Sequence, residues 1–122
     1  MKAVLDSNLL IDYLRGINKA RIEIALYNEP LISPITWMEV MSGATDEEEK
    51  QLNRNFLDRF QRVELVLPVM EQAATLRNTH RLKLPDAIIL ASAQVNNLML
   101  VTRNTKDFDP RKLPNVRVPY VI

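Results

Sequence analysis

Leu84-Pro-Asp-Ala-Ile-Ile-Leu-Ala-Ser-Ala-Gln-Val95 is the stretch around which the chain is organised. Pro85 has the fixed φ of a first helical position and the residues behind it form helix readily, so a helix is expected from here to about Val95. Ala87, Ile88, Ile89, Leu90, Ala91, Ala93 and Val95 leave it no broad polar face, which places it inside the protein, covered on most sides. Its one charge is Asp86, in the first turn. The positive end of the helix dipole favours a carboxylate there. A rigid central helix would equally deliver that acid to the floor of a cleft. Asp86 alone does not separate the two readings.

Working outward, Leu98 to Thr102 after the Asn96-Asn97 turn is a strand, followed by the polar loop Arg103-Asn-Thr-Lys-Asp-Phe-Asp-Pro110. Val116 to Val121 supplies a last strand at a sheet edge, where Pro119 is tolerated. Before the central helix, Val69 to Leu82 is helical, and Val63 to Leu67 reads as a strand stopped by Pro68. At the N-terminus Lys2 to Leu5 is a strand ending in Asp6-Ser7-Asn8, and Leu9 to Leu14 a helix closed by Gly16. Asn18 to Tyr27 is an amphipathic helix with Ile22 and Leu26 inward. A strand at Leu31 to Ser33, a helix from Ile35 to Gly43 and a polar helix from Asp46 to Phe60 complete the order, the last with Leu52, Phe56, Leu57 and Phe60 as its apolar stripe. Strands alternating with helices indicate a single α/β domain over residues 1–122 with a mainly parallel sheet.

A chain of 122 residues buries about two-thirds of its unfolded surface, enough for a core without metal or disulfide. There is no cysteine and His80 is the only histidine. Thiolate and histidine-rich metal sites are thereby excluded, and any metal must be held by oxygen, which suits magnesium or manganese. Asp6 and Asp12 interrupt the apolar N-terminus, so neither a secretory nor a transmembrane segment can be drawn, and a cytoplasmic protein is expected. Net charge is +1, yet residues 76–122 hold 8 Lys/Arg against 3 Asp/Glu. Such an imbalance suits contact with a polyanion.

Asp6 stands at the carboxyl end of a strand, where ligands gather in parallel α/β sheets, although it could also cap the next helix. Glu39, among Trp37, Met38, Val40 and Met41, is expected on a mostly buried helix, where a carboxylate needs a cation, a hydrogen-bond network or water. Trp37 and the methionines are read as core. Carboxylates converging in one cleft raise one another's pKa unless a divalent cation neutralises them. Magnesium takes one or two carboxylates and shares its other positions with water and phosphate, so the natural reaction is phosphodiester hydrolysis.

These residues resemble a known family. The strand ending in Asp6-Ser7-Asn8, the Thr36-Trp-Met-Glu39-Val helix, the Leu84-Pro-Asp86-Ala-Ile-Ile-Leu-Ala block and Leu100-Val-Thr102-Arg-Asn104-Thr-Lys-Asp107-Phe108 look like the motifs of PIN-domain ribonucleases, in order and spacing most like a VapC-type toxin of a toxin–antitoxin pair. The resemblance implies a three-layer α/β/α sandwich and a magnesium-dependent acidic site cutting RNA, often tRNA or rRNA. It also implies a homodimer and inhibition by a VapB-type antitoxin. By motif match Asp6 and Asp86 are the metal ligands, Glu39 is a ligand or the orienter of the attacking water, and Thr102 supports the site. Where many members have a further aspartate, this chain has Asn104, with Asp107 three residues on as its possible replacement. One firmly held ion is therefore expected.

Arg77, Arg81, Lys83, Arg103 and Lys106, with Arg111 and Lys112, are the candidates for phosphate contacts. A haloacid-dehalogenase-type phosphotransferase would need a second acid where Asn8 stands, and a receiver module would need an acidic pair that is missing. A PIN-like scaffold that binds RNA or protein without cutting is the alternative function.

Overall fold

The computed structural model describes residues 1–121; Ile122, the last residue of the domain expected over 1–122, lies outside the described residues. In chain order the elements are β1 (Lys2–Leu5), α1 (Ser7–Leu14), α2 (Asn18–Ala25), β2 (Glu29–Ile32), α3 (Pro34–Ser42), α4 (Glu47–Leu57), β3 (Gln61–Arg62), α5 (Leu67–His80), α6 (Leu84–Val95), β4 (Leu100–Val101) and β5 (Val116–Arg117). The strands form one sheet in the order β3-β2-β1-β4-β5, with every pairing parallel. This is the three-layer α/β/α arrangement expected for the sequence.

Alternation along β1 sends Ala3 and Leu5 to one face and Val4 to the other, as the two-residue period of a strand requires. On the first face Leu9, Leu10, Ile24, Val40, Phe56 and Leu57 of the α1–α4 layer close one core. On the second, Val69, Ala73 and Leu76 of α5 and Ala87, Ile89 and Leu90 of α6 close the other. Each such large side chain contributes about 1.5–3 kcal/mol on burial. The central helix is as buried as its composition demands, with Ala87, Ile89, Leu90, Ala91, Ser92 and Ala93 all inside. Among the described residues no helix is long and apolar enough to cross a membrane.

Several local expectations are corrected. In α2 the buried residues are Ala20, Glu23 and Ile24, whereas Ile22 is 59% and Leu26 49% exposed. The inversion follows from Glu23, which goes inside because Arg117 reaches it from β5. Leu52 of α4 is exposed as well. The third strand is Gln61–Arg62 instead of Val63 to Leu67, and Pro68 opens α5 instead of closing a strand; a proline is tolerated in the first helical turn because its missing N–H has no intrahelical partner to lose. The last strand is confined to Val116–Arg117. Helix α3 buries only Thr36 and Val40, so Met38 is exposed and Trp37 only partly covered.

Candidate active site

The strand order reverses between β1 and β4. β1 is followed by helices on one face and β4 is reached from the other, so their carboxyl ends mark the switch point, the position ligands take in doubly wound sheets. Asp6 follows β1 and Thr102 follows β4 directly.

Asp6 performs both roles that its position allows. Its Oδ1 accepts the Ser7 backbone N–H at 2.8 Å and so caps α1. Its Oδ2 accepts the Thr102 hydroxyl at 2.7 Å and the Asn8 amide at 3.2 Å. The Thr102 oxygen in turn accepts from the Asn104 backbone N–H at 3.0 Å. Burial pushes the Asp6 carboxyl up to about 6 against the lowering effect of the Thr102 and Ser7 bonds, and the charges of Asp86 and Glu39 raise it further.

Asp86 arrives from the first turn of α6, half-buried. Its pKa is also raised, by burial first and then by Asp107 and Glu39, while Lys83 opposes the shift. Glu39 does not sit on a buried helix face as expected; it is exposed at the rim, and the hydroxyl of Ser7 donates to its Oε1 at 2.6 Å. That serine also lies 3.3 Å from the Thr36 hydroxyl. Ser7 is thus the link between the Asp6 turn and Glu39.

Asn104 and Asp107 bind each other. The Asn104 amide donates to Asp107 Oδ2 at 2.9 Å and its oxygen accepts the Asp107 N–H at 3.2 Å. Asn104 therefore orients Asp107, and it is the Asp107 carboxylate whose charge acts on Asp86. The fully buried Phe108 anchors this loop. Among the described residues no three acidic or histidine side chains stand close enough to enclose an ion by themselves. The charge of Asp86 nevertheless adds to burial in raising Asp6, and every donor the two acids offer is a hard oxygen, which fits an ion that keeps water and shares phosphate.

The basic candidates divide. Arg77, Arg81 and Lys83 line a cleft of about 500 Å³ with Asn78 and Leu82, immediately before Asp86 in the chain; Arg81 there adopts the left-handed φ of 55° that ends α5. Lys106 and Lys112 are exposed. Arg103 is instead bound to the buried Asp12, which takes its guanidinium out of the set free for phosphate, while Arg111 pairs with Asp109 at the surface and stays 89% exposed.

The PIN-domain family model matches residues 3–111, and the chain belongs to that family. Among solved structures it is similar to a chain of the toxin–antitoxin complex from Klebsiella pneumoniae, with 43% identity over 98% of this chain and 99% of that one and a TM-score of 0.91. VapBC2 from Rickettsia felis, bound to a DNA fragment from its promoter, shares the fold at 22% identity over 95% and 96% of the two chains, TM-score 0.79. VapBC-1 from nontypeable Haemophilus influenzae does so at 21% identity over 96% of each, TM-score 0.74. No curated protein matches the chain. The PIN-domain resemblance read from the four sequence motifs is borne out by the family match, and the Klebsiella pneumoniae neighbour is a chain of a toxin–antitoxin complex.

Proposed function

We propose that this chain is a magnesium-dependent endoribonuclease, the toxin of a toxin–antitoxin pair, hydrolysing RNA phosphodiester bonds at the site of Asp6 and Asp86. The observation that carries the reading is the gathering of Asp6 and Asp86 at the sheet's switch point with Glu39 beside them, where burial first and neighbouring acidic charge second raise both aspartates, a cost at neutral pH that a divalent cation would offset. Asp6 and Asp86 would hold Mg²⁺, or Mn²⁺ in its place, which when bound supplies charge neutralisation at the phosphoryl oxygens and a more acidic water.

The protein's own groups do the rest. Asp6 is fixed in orientation by Thr102, Asn8 and the Ser7 N–H. Glu39 has Oε1 engaged by Ser7, leaving Oε2 to take the proton of the water that attacks phosphorus as the bond to the leaving oxygen breaks. Arg77, Arg81, Lys83 and Lys106 bind backbone phosphates, adding affinity without base choice. A structured cellular RNA, tRNA or rRNA, is the substrate in this reading, and the cytoplasm its place of action. The likeness to toxin–antitoxin complexes supports a VapB-type antitoxin as inhibitor; a homodimer is the working form in this reading.

The test is cleavage of total cellular RNA by the purified chain with Mg²⁺, Mn²⁺ or chelator, beside Asp6→Asn and Asp86→Asn. Discrete, metal-requiring cleavage that both substitutions abolish supports the reading. RNA binding without cleavage under any metal, unchanged in both variants, would replace it with the inert scaffold.

A further inference from the structure

Two buried carboxylates of the α1–α2 layer are each gripped by an arginine from the C-terminal part of the chain and by a tyrosine. Asp12 accepts Arg103 Nε at 2.6 Å and Nη2 at 3.1 Å, and the Tyr120 hydroxyl at 2.8 Å. Glu23 accepts Arg117 Nε at 2.8 Å and Nη2 at 3.0 Å, and the Tyr27 hydroxyl at 2.7 Å. The two clamps differ in what lies beside the arginine. Arg117 belongs to β5, at the end of the sheet order. Arg103 stands between Thr102, which bonds Asp6, and Asn104, which orients Asp107.

The connection from β4 to β5 contains neither helix nor strand, so its path past the site depends on tertiary pins. Phe108 pins its middle against the α5–α6 core, and helix α1 supplies the pins beside Thr102. Asn8 and Asp12 lie one turn apart and therefore on one helical face; Asn8 accepts the Arg103 backbone N–H at 3.4 Å and donates to Thr102 at 3.2 Å, while Asp12 holds the guanidinium. The fork of an arginine bound through two nitrogens sets direction as well as distance, which a lysine cannot do.

We propose that the Asp12–Arg103 ion pair is a positioning device for the acidic site: by fastening residues 102–104 to α1 it sets the Thr102 hydroxyl against Asp6 and the Asn104–Asp107 pair beside Asp86. Arg103 acts through these neighbours and not on RNA. The proposal rests on the reading of Asp6 and Asp86 as the metal-holding acids.

The test compares the full chain with Arg103→Met, Arg103→Lys and, as a control in the other clamp, Arg117→Met. Three quantities are measured: amide hydrogen exchange of residues 102–108, Mn²⁺ affinity by calorimetry, and kcat and KM for RNA cleavage. Arg103→Met is expected to speed local exchange by roughly tenfold and to weaken Mn²⁺ binding by about 10–100-fold, the usual range for groups that orient metal ligands. The kcat falls with it while KM stays within about twofold, and Arg103→Lys, which keeps the charge and guards against a folding failure, falls between. Arg117→Met loses stability and speeds exchange at Thr102, whose N–H donates to the Arg117 carbonyl, but keeps wild-type exchange at 103–108 and wild-type Mn²⁺ affinity. Exchange at 103–108 and Mn²⁺ affinity in Arg103→Met equal to those of Arg117→Met would overturn the proposal, as would a raised KM with unchanged kcat, the mark of a phosphate contact. A wild-type chain that binds no Mn²⁺ and cuts no RNA removes the nuclease reading alone. The exchange comparison then still decides whether Arg103 fastens the segment.

Discussion

The Thr102 hydroxyl donates to Asp6 Oδ2 at 2.7 Å across 96 residues of sequence. The bond joins the carboxyl ends of β1 and β4 with one polar contact, buried on both sides. Because Thr102 also accepts from Asn104 N–H and Asn8, its hydroxyl proton is committed to the carboxylate and Asp6 is held in one rotamer.

Thr102→Val keeps the shape and removes the donor. It leaves the Asn104 N–H and one bond of Asp6 unpaired, so urea denaturation should register a loss of about 1–3 kcal/mol. Metal-supported cleavage should fall by about 10–100-fold, and Thr102→Ser should restore most of both. Equal activity in valine and serine variants would contradict the role given to the hydroxyl.

Asp6 makes stability depend on pH with a definite sign. Its folded value of about 6 lies above the ordinary 3.8, so the folded state binds the proton more tightly and stability falls as pH rises between the two, by at most about 3 kcal/mol. Without divalent cations, the wild-type chain should gain stability relative to Asp6→Asn when acidified from about pH 7 to pH 5. At neutral pH, added Mg²⁺ should stabilise wild type and not the variant. Urea midpoints that shift in parallel for the two chains would show that Asp6 does not titrate in this range.

The Glu23–Arg117 clamp has the opposite sign. The Arg117 guanidinium, working against burial and helped by Tyr27, holds Glu23 below its ordinary value. Its contribution is therefore present above the unfolded carboxylate pKa and lost as pH falls through the lower folded one. Arg117→Met should cost about 2 kcal/mol at neutral pH, below the usual figure for a broken buried pair because the arginine is partly in water. The gap to wild type should narrow only once pH has fallen below the ordinary carboxylate range and through the lowered folded value, where Glu23 is protonated in both chains.

Phe108 carries the loop that holds Asp107. It is wholly buried against the α5–α6 core, and Phe108→Ala should cost about 3–5 kcal/mol by thermal or urea unfolding, whereas Phe108→Leu should cost under half of that.

The basic cleft before Asp86 is expected to act through charge alone. Arg81→Ala and Lys83→Ala should each weaken single-stranded RNA binding equally for different sequences and reduce the salt-dependence slope by about 0.7. A change in cleavage position with unchanged salt slope would instead mean base readout.

Much of the fold was legible because it depends on near neighbours in the chain. Ala87 to Ala93 can only be a buried helix, Lys2 to Leu5 alternates as a strand in a covered sheet, and Asp6 had to fall at its carboxyl end. Periodicity failed where a charge is buried by a distant partner. It turned Ile22 and Leu26 of α2 inward and left Glu23 out, since nothing within the helix predicts Arg117; it gave no reason to bury Asp12, whose partner Arg103 is 91 residues away. The reason the sequence offers for singling out Glu39 does not hold, because α3 is half exposed and its acid is held by Ser7 at the rim.

The sequence by itself determined the α/β order, the buried central helix and the acids at strand ends and helix starts, because hydrophobic period and local capping act over a few residues. Only the tertiary structure decided that Thr102 orients Asp6, that Asn104 serves Asp107, and that Arg103 is spent on Asp12. Those pairings join residues far apart in the chain, and the packed layers that bring them together leave no periodic trace in either partner's own segment.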